Sequence, residues 1–167
     1  MSAYEKTPIE FRAAAVLLTT SVAIFLGVKA YRKIFPSGTD KADKEESKAN
    51  AESQKSAETL LTKYTKLKAP TYSNAMFTGW ANSLYKSMDG AGTSFGTIKN
   101  VLGYMQSDTD VLKLIVTFGV RNRKTNNPFS SEATPLTLPS WFSEELSDNE
   151  IFELNKILAA KRIGYRF

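Results

Sequence analysis

The hydrophobic and polar positions along the chain divide it into three stretches of different character. Residues 13–28 form an apolar run without a charged side chain, whereas residues 37–55 are charged and nearly without apolar side chains. From residue 56 onward, apolar positions recur every three or four residues, which is the spacing of amphipathic helices. We therefore predict a mostly α chain, divided at 1–36, 37–55 and 56–167.

The apolar run predicts a transmembrane anchor. Its sixteen residues give about 24 Å of helix, and the run approaches the ~30 Å hydrocarbon core when the flanking basic side chains extend toward the headgroups. A buried core helix, a cleaved signal peptide and an amphipathic surface helix are the alternatives. The residues assigned to the anchor are Arg12, Leu17, Ile24, Leu26, Lys29 and Tyr31.

Basic residues flanking the run predict its orientation. Lys6 and Arg12 precede it, and Lys29, Arg32 and Lys33 follow it. Because cytoplasmic flanks carry the excess of basic residues, the C-terminal domain is expected on the cytoplasmic side of a cellular membrane. In a virus the same anchor would lie in the virion membrane.

The charged stretch at 37–55 predicts a spacer that holds the domain away from a bilayer. Its composition suits either a disordered tether or a solvated helix, and pairs such as Asp40 and Lys44 favour partial helix. Leu60, Leu61 and later apolar residues predict that the helix docks from about Ser56.

The last stretch predicts a bundle of about five helices and no strand. The expected helices lie at about 76–88, 93–105, 108–118, 141–146 and 151–158. Asp108 is the expected N-cap of the third, Gly119 is its C′ residue, and Ser147 to Glu150 form a capping box. Trp80 and Trp141 are expected in the core, and the basic side chains of Arg121, Arg123 and Lys124 in a solvated loop.

The composition excludes several kinds of catalytic and metal site, although it says little about the fold. The chain has no cysteine and no histidine, which excludes disulfides, thiolate nucleophiles, zinc fingers and imidazole catalysis. The net charge of +5 is spread along the chain, so a nucleic-acid partner is not expected. We predict that the protein is not an enzyme.

The run Met88-Asp89-Gly90-Ala91-Gly92-Thr93 resembles the M-x-G-x-G-T loop of the annexin repeat, and the resemblance covers roughly residues 80–158. It implies a single annexin-like repeat and makes calcium the one cofactor to consider. The implied ligands are the carbonyls of Met88, Gly90 and Gly92, with the carboxylate of Glu132. As an alternative, the glycines form a tight turn and Thr93 caps the next helix.

These features favour a structural or interaction protein that links a bilayer to a neighbouring shell or complex protein, within a large assembly and as an oligomer there. A minor membrane protein of a lipid-containing virus or phage is the expected setting. One alternative is an annexin-like, calcium-dependent phospholipid-binding module of a bacterial membrane protein. A second is a carboxylate-dependent cell-wall hydrolase using Glu144, Glu145 or Glu150, acids expected near helix starts. The final segment, 161–167, would either dock on its own domain or serve as a partner peptide.

Overall fold

A computed structural model describes residues 39–89, 92–124 and 133–167 as six helices and one hairpin. The predicted anchor lies outside these residues, and no helix within them is long and apolar enough to cross a membrane. The elements are α1 (Thr39–Thr65), α2 (Asn74–Met88), α3 (Phe95–Tyr104), α4 (Asp108–Phe118), β1 (Arg121–Lys124), β2 (Ala133–Leu136), α5 (Leu138–Glu145) and α6 (Asp148–Ala160).

Helices α2 to α6 form the predicted five-helix body around a single core. Each contributes fully buried apolar side chains, and Trp141 of α5 is among the largest. Helix α4 packs against both α1 and α2, while α3 packs against α2 and α6. The core side chains with no exposed area include Phe77, Leu84, Ile98, Leu102, Leu112, Leu114, Phe142, Leu154 and Leu158. The mostly helical class is therefore confirmed for the described residues.

Three helices begin at serine caps. The hydroxyl oxygens of Ser73, Ser107 and Ser147 accept from the backbone N–H three residues later, which satisfies a donor that has no partner inside the helix. The predicted capping box of Ser147 and Glu150 is confirmed. The N-cap of α4 is Ser107 and not Asp108, because the Asp108 carboxylate is used elsewhere.

The expectation of no strand was wrong. Strands β1 and β2 pair antiparallel, with Arg121 opposite Leu136 and Lys124 opposite Ala133. The hairpin lacks the alternation of apolar and polar residues that marks a strand in sequence, since Leu136 is its one buried apolar side chain. It is held by neighbouring helices instead: the indole N–H of Trp141 donates to the carbonyl of Arg121 at 3.3 Å.

Helix α1 is a single helix of 27 residues that docks earlier than its composition suggests. Ala49, Asn50, Ser53 and Ala57 are buried, so docking from Ser56 was wrong. Three residues of the predicted spacer therefore pack against the domain. Small residues spaced by four form a stripe along one helix face, and this stripe lies against β2 and α4.

A buried polar network explains why this polar stretch packs. The Asn50 amide donates to the carbonyl of Pro135 at 3.0 Å. Its Oδ1 accepts from the hydroxyl groups of Ser140 at 2.7 Å and Thr137 at 3.4 Å. Buried polar groups are tolerated when they find hydrogen-bond partners, and α1 supplies those partners with one side chain.

Replacing Asn50 with alanine tests this docking. The change removes the partner of the half-buried Pro135 carbonyl and one of the two partners of the buried Ser140 hydroxyl, so we expect the free energy of unfolding to fall by about 1–3 kcal/mol. Amide hydrogen exchange should also accelerate in α1 before Ala57. Glu52→Ala on the exposed side of the same helix is the control. Exchange in α1 that is equal in the two variants would contradict the docking role.

The segment at 161–167 docks on its own domain. The Asp108 carboxylate accepts from the backbone N–H groups of Gly164 and Tyr165, each at 2.8 Å. The Phe167 ring packs against Phe142, with centroids 4.8 Å apart, and its N–H donates to Asn155 at 2.9 Å. The same Asp108 that was expected to cap α4 thus ties the start of that helix to the tail.

Candidate functional site

The loop between α2 and α3 carries the annexin-like motif. It is closed by a hydrogen bond from the Ser94 N–H to the Ser87 carbonyl at 2.9 Å. Gly92 has a φ of +88°, a left-handed conformation that glycine adopts without steric cost. The side chain of Met88 is buried, so its backbone carbonyl is the group that the motif would use. Gly90 lies outside the described residues.

Thr93 joins this loop to the end of α5. The predicted cap by Thr93 was wrong, because the N-cap of α3 is Ser94. The Thr93 hydroxyl instead donates to the Glu145 carboxylate at 2.8 Å, across 52 positions of sequence. A carboxylate therefore reaches the glycine loop, although it is not the Glu132 that the resemblance implies, which lies outside the described residues.

Arg123 of β1 forms ion pairs with the two glutamates at the end of α5. Its Nη1 lies 3.0 Å from Glu144 Oε2 and its Nη2 lies 2.9 Å from Glu145 Oε1. Only 11% and 13% of the two glutamate side chains is exposed, and a planar guanidinium suits two nearby carboxylates. We call the residues Thr93, Arg123, Glu144 and Glu145 the acid cluster.

The position of the two glutamates corrects the sequence interpretation. They lie in the last turn of α5 and not near a helix start, where the helix dipole disfavours negative charge. The positive charge of Arg123 offsets the unfavourable interaction of the two glutamates with the helix dipole. The ion pairs therefore have a structural reason. The expected solvated basic loop was also wrong: the Arg121 guanidinium lies over the Phe118 and Tyr85 rings at 4.7 and 5.1 Å.

Tyr85 and Asp89 border the loop on the side of α2. Burial raises the pKa of the Tyr85 hydroxyl above its usual value of 10.0, and its hydrogen bond to the Asp89 carboxylate raises it further. The tyrosine is therefore neutral at physiological pH, where it donates to Asp89. The same hydroxyl also lies 3.3 Å from the Asn122 carbonyl, which links the loop region to β1.

Only part of the ligand set that the resemblance implies lies among the described residues, namely Met88 and Gly92. Calcium takes six to eight oxygen ligands, and no group of three or more acidic side chains able to hold a metal occurs among them. Glu145 approaches the loop, but its carboxylate is already paired with Arg123. Calcium binding therefore stays a prediction, which depends in part on Gly90 and Glu132.

The three glutamates considered for hydrolysis have different environments. Glu144 and Glu145 belong to the acid cluster, whereas Glu150 accepts from the Ser147 N–H at 2.8 Å and its hydroxyl at 2.7 Å. These hydrogen bonds, the backbone one first, lower the pKa of Glu150. A carboxyl group of lowered pKa is a poor proton donor at neutral pH.

Nothing in the sequence signals the acid cluster. Arg123 lies in a polar run and Thr93 ends a glycine loop, and their meeting at Glu145 depends on the hairpin that sequence analysis missed. The contacts of Arg123 and Thr93 with Glu145 are seen only in the folded structure. No family model, curated protein or solved structure matches this chain.

Proposed function

We propose that this chain is a membrane-anchored interaction protein that links a bilayer to a neighbouring protein layer. The observation that carries the proposal is the continuity of α1 with the domain. Residues predicted to form a spacer, either a disordered tether or a solvated helix, belong to one helix of 27 residues, and Asn50 fixes this helix to the domain. A link that must hold a set distance needs this stiffness, whereas a tethered enzyme does not.

The length of α1 before its buried part sets the distance between the proposed anchor and the domain. Ala49, which is buried, is the tenth residue after Thr39, and ten helical residues span about 15 Å. The proposed anchor would end close to Pro36, so the domain would stay near the headgroups. A lipid-containing virus, with a bilayer beneath a protein shell, offers such a setting, as does a cellular membrane complex.

Two measurements on the full chain test this proposal. Resistance to alkaline carbonate extraction, lost on deletion of residues 1–36, is expected of a spanning anchor. Crosslinking mass spectrometry on the native membrane or particle should then connect Lys48 and Lys55, both exposed on α1, to one abundant neighbouring protein. Crosslinks confined to the chain itself would reject the protein layer, and extraction of the full chain by carbonate would reject the anchor.

The contact between Thr93 and Glu145 favours a second candidate function, calcium-dependent phospholipid binding by an annexin-like loop. It places a carboxylate beside the glycine loop, as the resemblance requires, although from a different position. In this interpretation Arg123 competes with calcium for the same oxygens. The two cations cannot both bind Glu145 closely, because like charges repel at short distance.

Replacing Arg123 with glutamine separates the two candidates. If the loop is a calcium site, the variant should bind calcium at least about fivefold more tightly than the unchanged chain, since loss of the nearby cation is worth on the order of 1 kcal/mol. Isothermal titration calorimetry measures the affinity, and Arg162→Gln at an exposed position is the matched control. No binding by either protein at millimolar calcium would eliminate this candidate.

A further inference from the structure

Three aromatic rings from the connection after α1, from α2 and from α3 pack together, with Met76 beside them on α2. The rings of Trp80 and Tyr104 stack with centroids 5.4 Å apart and planes 9° from parallel. The Tyr72 ring meets Trp80 edge-on at 4.9 Å, and Met76 lies one turn before Trp80 on α2. We call Tyr72, Met76, Trp80 and Tyr104 the aromatic face.

The aromatic face is partly exposed. Tyr72 and Trp80 are half-buried against the core, so the expected core position of Trp80 holds only in part. Tyr104 is 51% exposed and Met76 is 45% exposed. In the turn that leads from α1 into the face, Leu67 is 78% exposed between Lys66 and Lys68. A single exposed apolar side chain is ordinary, whereas several of them close together mark an interaction surface.

The sequence that leads into and through the aromatic face carries charge of one sign. Between residues 59 and 88 the chain has four lysines and no acidic residue. Asp110 of α4, whose carboxylate meets the backbone just before Tyr72, is fully buried. It accepts from the backbone N–H groups of Thr71 at 2.7 Å and Gln106 at 2.9 Å, so it presents no negative group to a ligand. The face therefore complements an anionic surface.

We propose that the aromatic face and the turn Lys66-Leu67-Lys68 dock on the headgroup layer of an anionic bilayer, without calcium. Tryptophan and tyrosine favour this layer because their rings are apolar and their edges polar. Lysines beside them attract anionic headgroups, and an exposed leucine between two lysines can enter the acyl boundary. A single-stranded nucleic acid would use the rings and the lysines but would leave Leu67 and Met76 without a role.

The inference rests on the proposed membrane function for its setting and adds a second contact to it. Helix α1 is about 40 Å long, and the face lies beyond its C-terminal end.

Tryptophan fluorescence of the full chain tests the proposal, because the chain has two tryptophans in different environments. Trp141 is fully buried, whereas Trp80 belongs to the aromatic face. The chain is reconstituted into phosphatidylcholine vesicles with or without phosphatidylglycerol, with brominated acyl chains as the quencher. Trp80→Phe supplies the signal of Trp141 alone. Carbonate-resistant flotation of the same vesicles reports the anchor separately, so failure of the anchor and failure of the face are distinguished.

We expect bromine to quench Trp80 in anionic vesicles and to leave Trp141 unquenched. The double variant Lys66→Gln/Lys68→Gln should lower the ratio of docked to undocked chains by roughly thirtyfold, at about fivefold for each lysine. The matched control Lys48→Gln/Lys55→Gln removes the same charge from the exposed side of α1 and should retain the quenching.

Three results would overturn the proposal. The first is a floating chain whose Trp80 is not quenched, and the second is equal quenching in neutral and anionic vesicles. The third is a response of Trp80 to a single-stranded oligonucleotide in detergent with no quenching by brominated lipid, which would assign the face to nucleic acid.

Discussion

Deleting residues 164–167 is expected to unfold the helical domain at 37 °C. Tyr165 is fully buried, and removing a large aromatic side chain from a core costs about 3–5 kcal/mol. The deletion also removes the two N–H donors of Asp108 and exposes the ring of Phe142. Because a domain of this size is stable by only about 5–15 kcal/mol, the sum approaches its whole stability. Urea unfolding followed by circular dichroism measures the loss.

Two single substitutions separate the tail contacts from simple shortening. Tyr165→Ala keeps the chain length and should account for most of the loss, since it empties the largest part of the buried tail. Burial also raises the pKa of the Tyr165 hydroxyl, which stays neutral within the core. Arg162→Ala, exposed three residues earlier, should leave the unfolding midpoint nearly unchanged. A deletion variant as stable as the unchanged chain would show that the tail is dispensable.

Asp110→Ala is expected to have the second largest effect. The carboxylate is fully buried and accepts backbone N–H groups from two different connections, at Thr71 before α2 and at Gln106 before α4. Hydrogen bonds to a charged acceptor contribute about 1.5–3 kcal/mol each. We therefore expect a loss of about 3–5 kcal/mol and a melting temperature lower by roughly 10–20 °C.

Asp148→Ala is the matched control for Asp110. Both aspartates lie in the first turn of a helix, but Asp148 is exposed. Its loss removes only the favourable charge at the helix start, worth about 0.3–1 kcal/mol. Melting temperatures that fall equally in both variants would reduce Asp110 to the same role and would refute its function as a link between two connections.

The helical body was predictable because its signals are local. Apolar residues at helical spacing located α2 to α6, and Gly119 and the box of Ser147 and Glu150 marked two helix ends where the structure has them. These features depend on residues within one or two turns of each other. The anchor at 1–36 and the ligands Gly90 and Glu132 stay predictions.

The hairpin and the docking of α1 could not be predicted because their partners are distant in sequence. Asn50 looks like a solvated residue in a charged stretch, and its burial depends on Ser140, 90 positions later. Arg123 likewise reads as a surface cation until the hairpin brings it to the glutamates of α5. Polar groups give no periodic signal when their neighbours are other polar groups, so sequence patterns place them on the surface.

The stripe of small residues on α1 has an evolutionary consequence. Ala49, Ser53 and Ala57 are buried at intervals of one turn, so the helix axis lies close to β2 and α4, and a larger side chain would push it outward. Exposed neighbours such as Glu52 and Lys55 have no such limit. In related chains we expect the three stripe positions to stay small while the charges between them drift. The charged and mostly polar stretch of α1 would then contain some of the positions that tolerate the fewest substitutions.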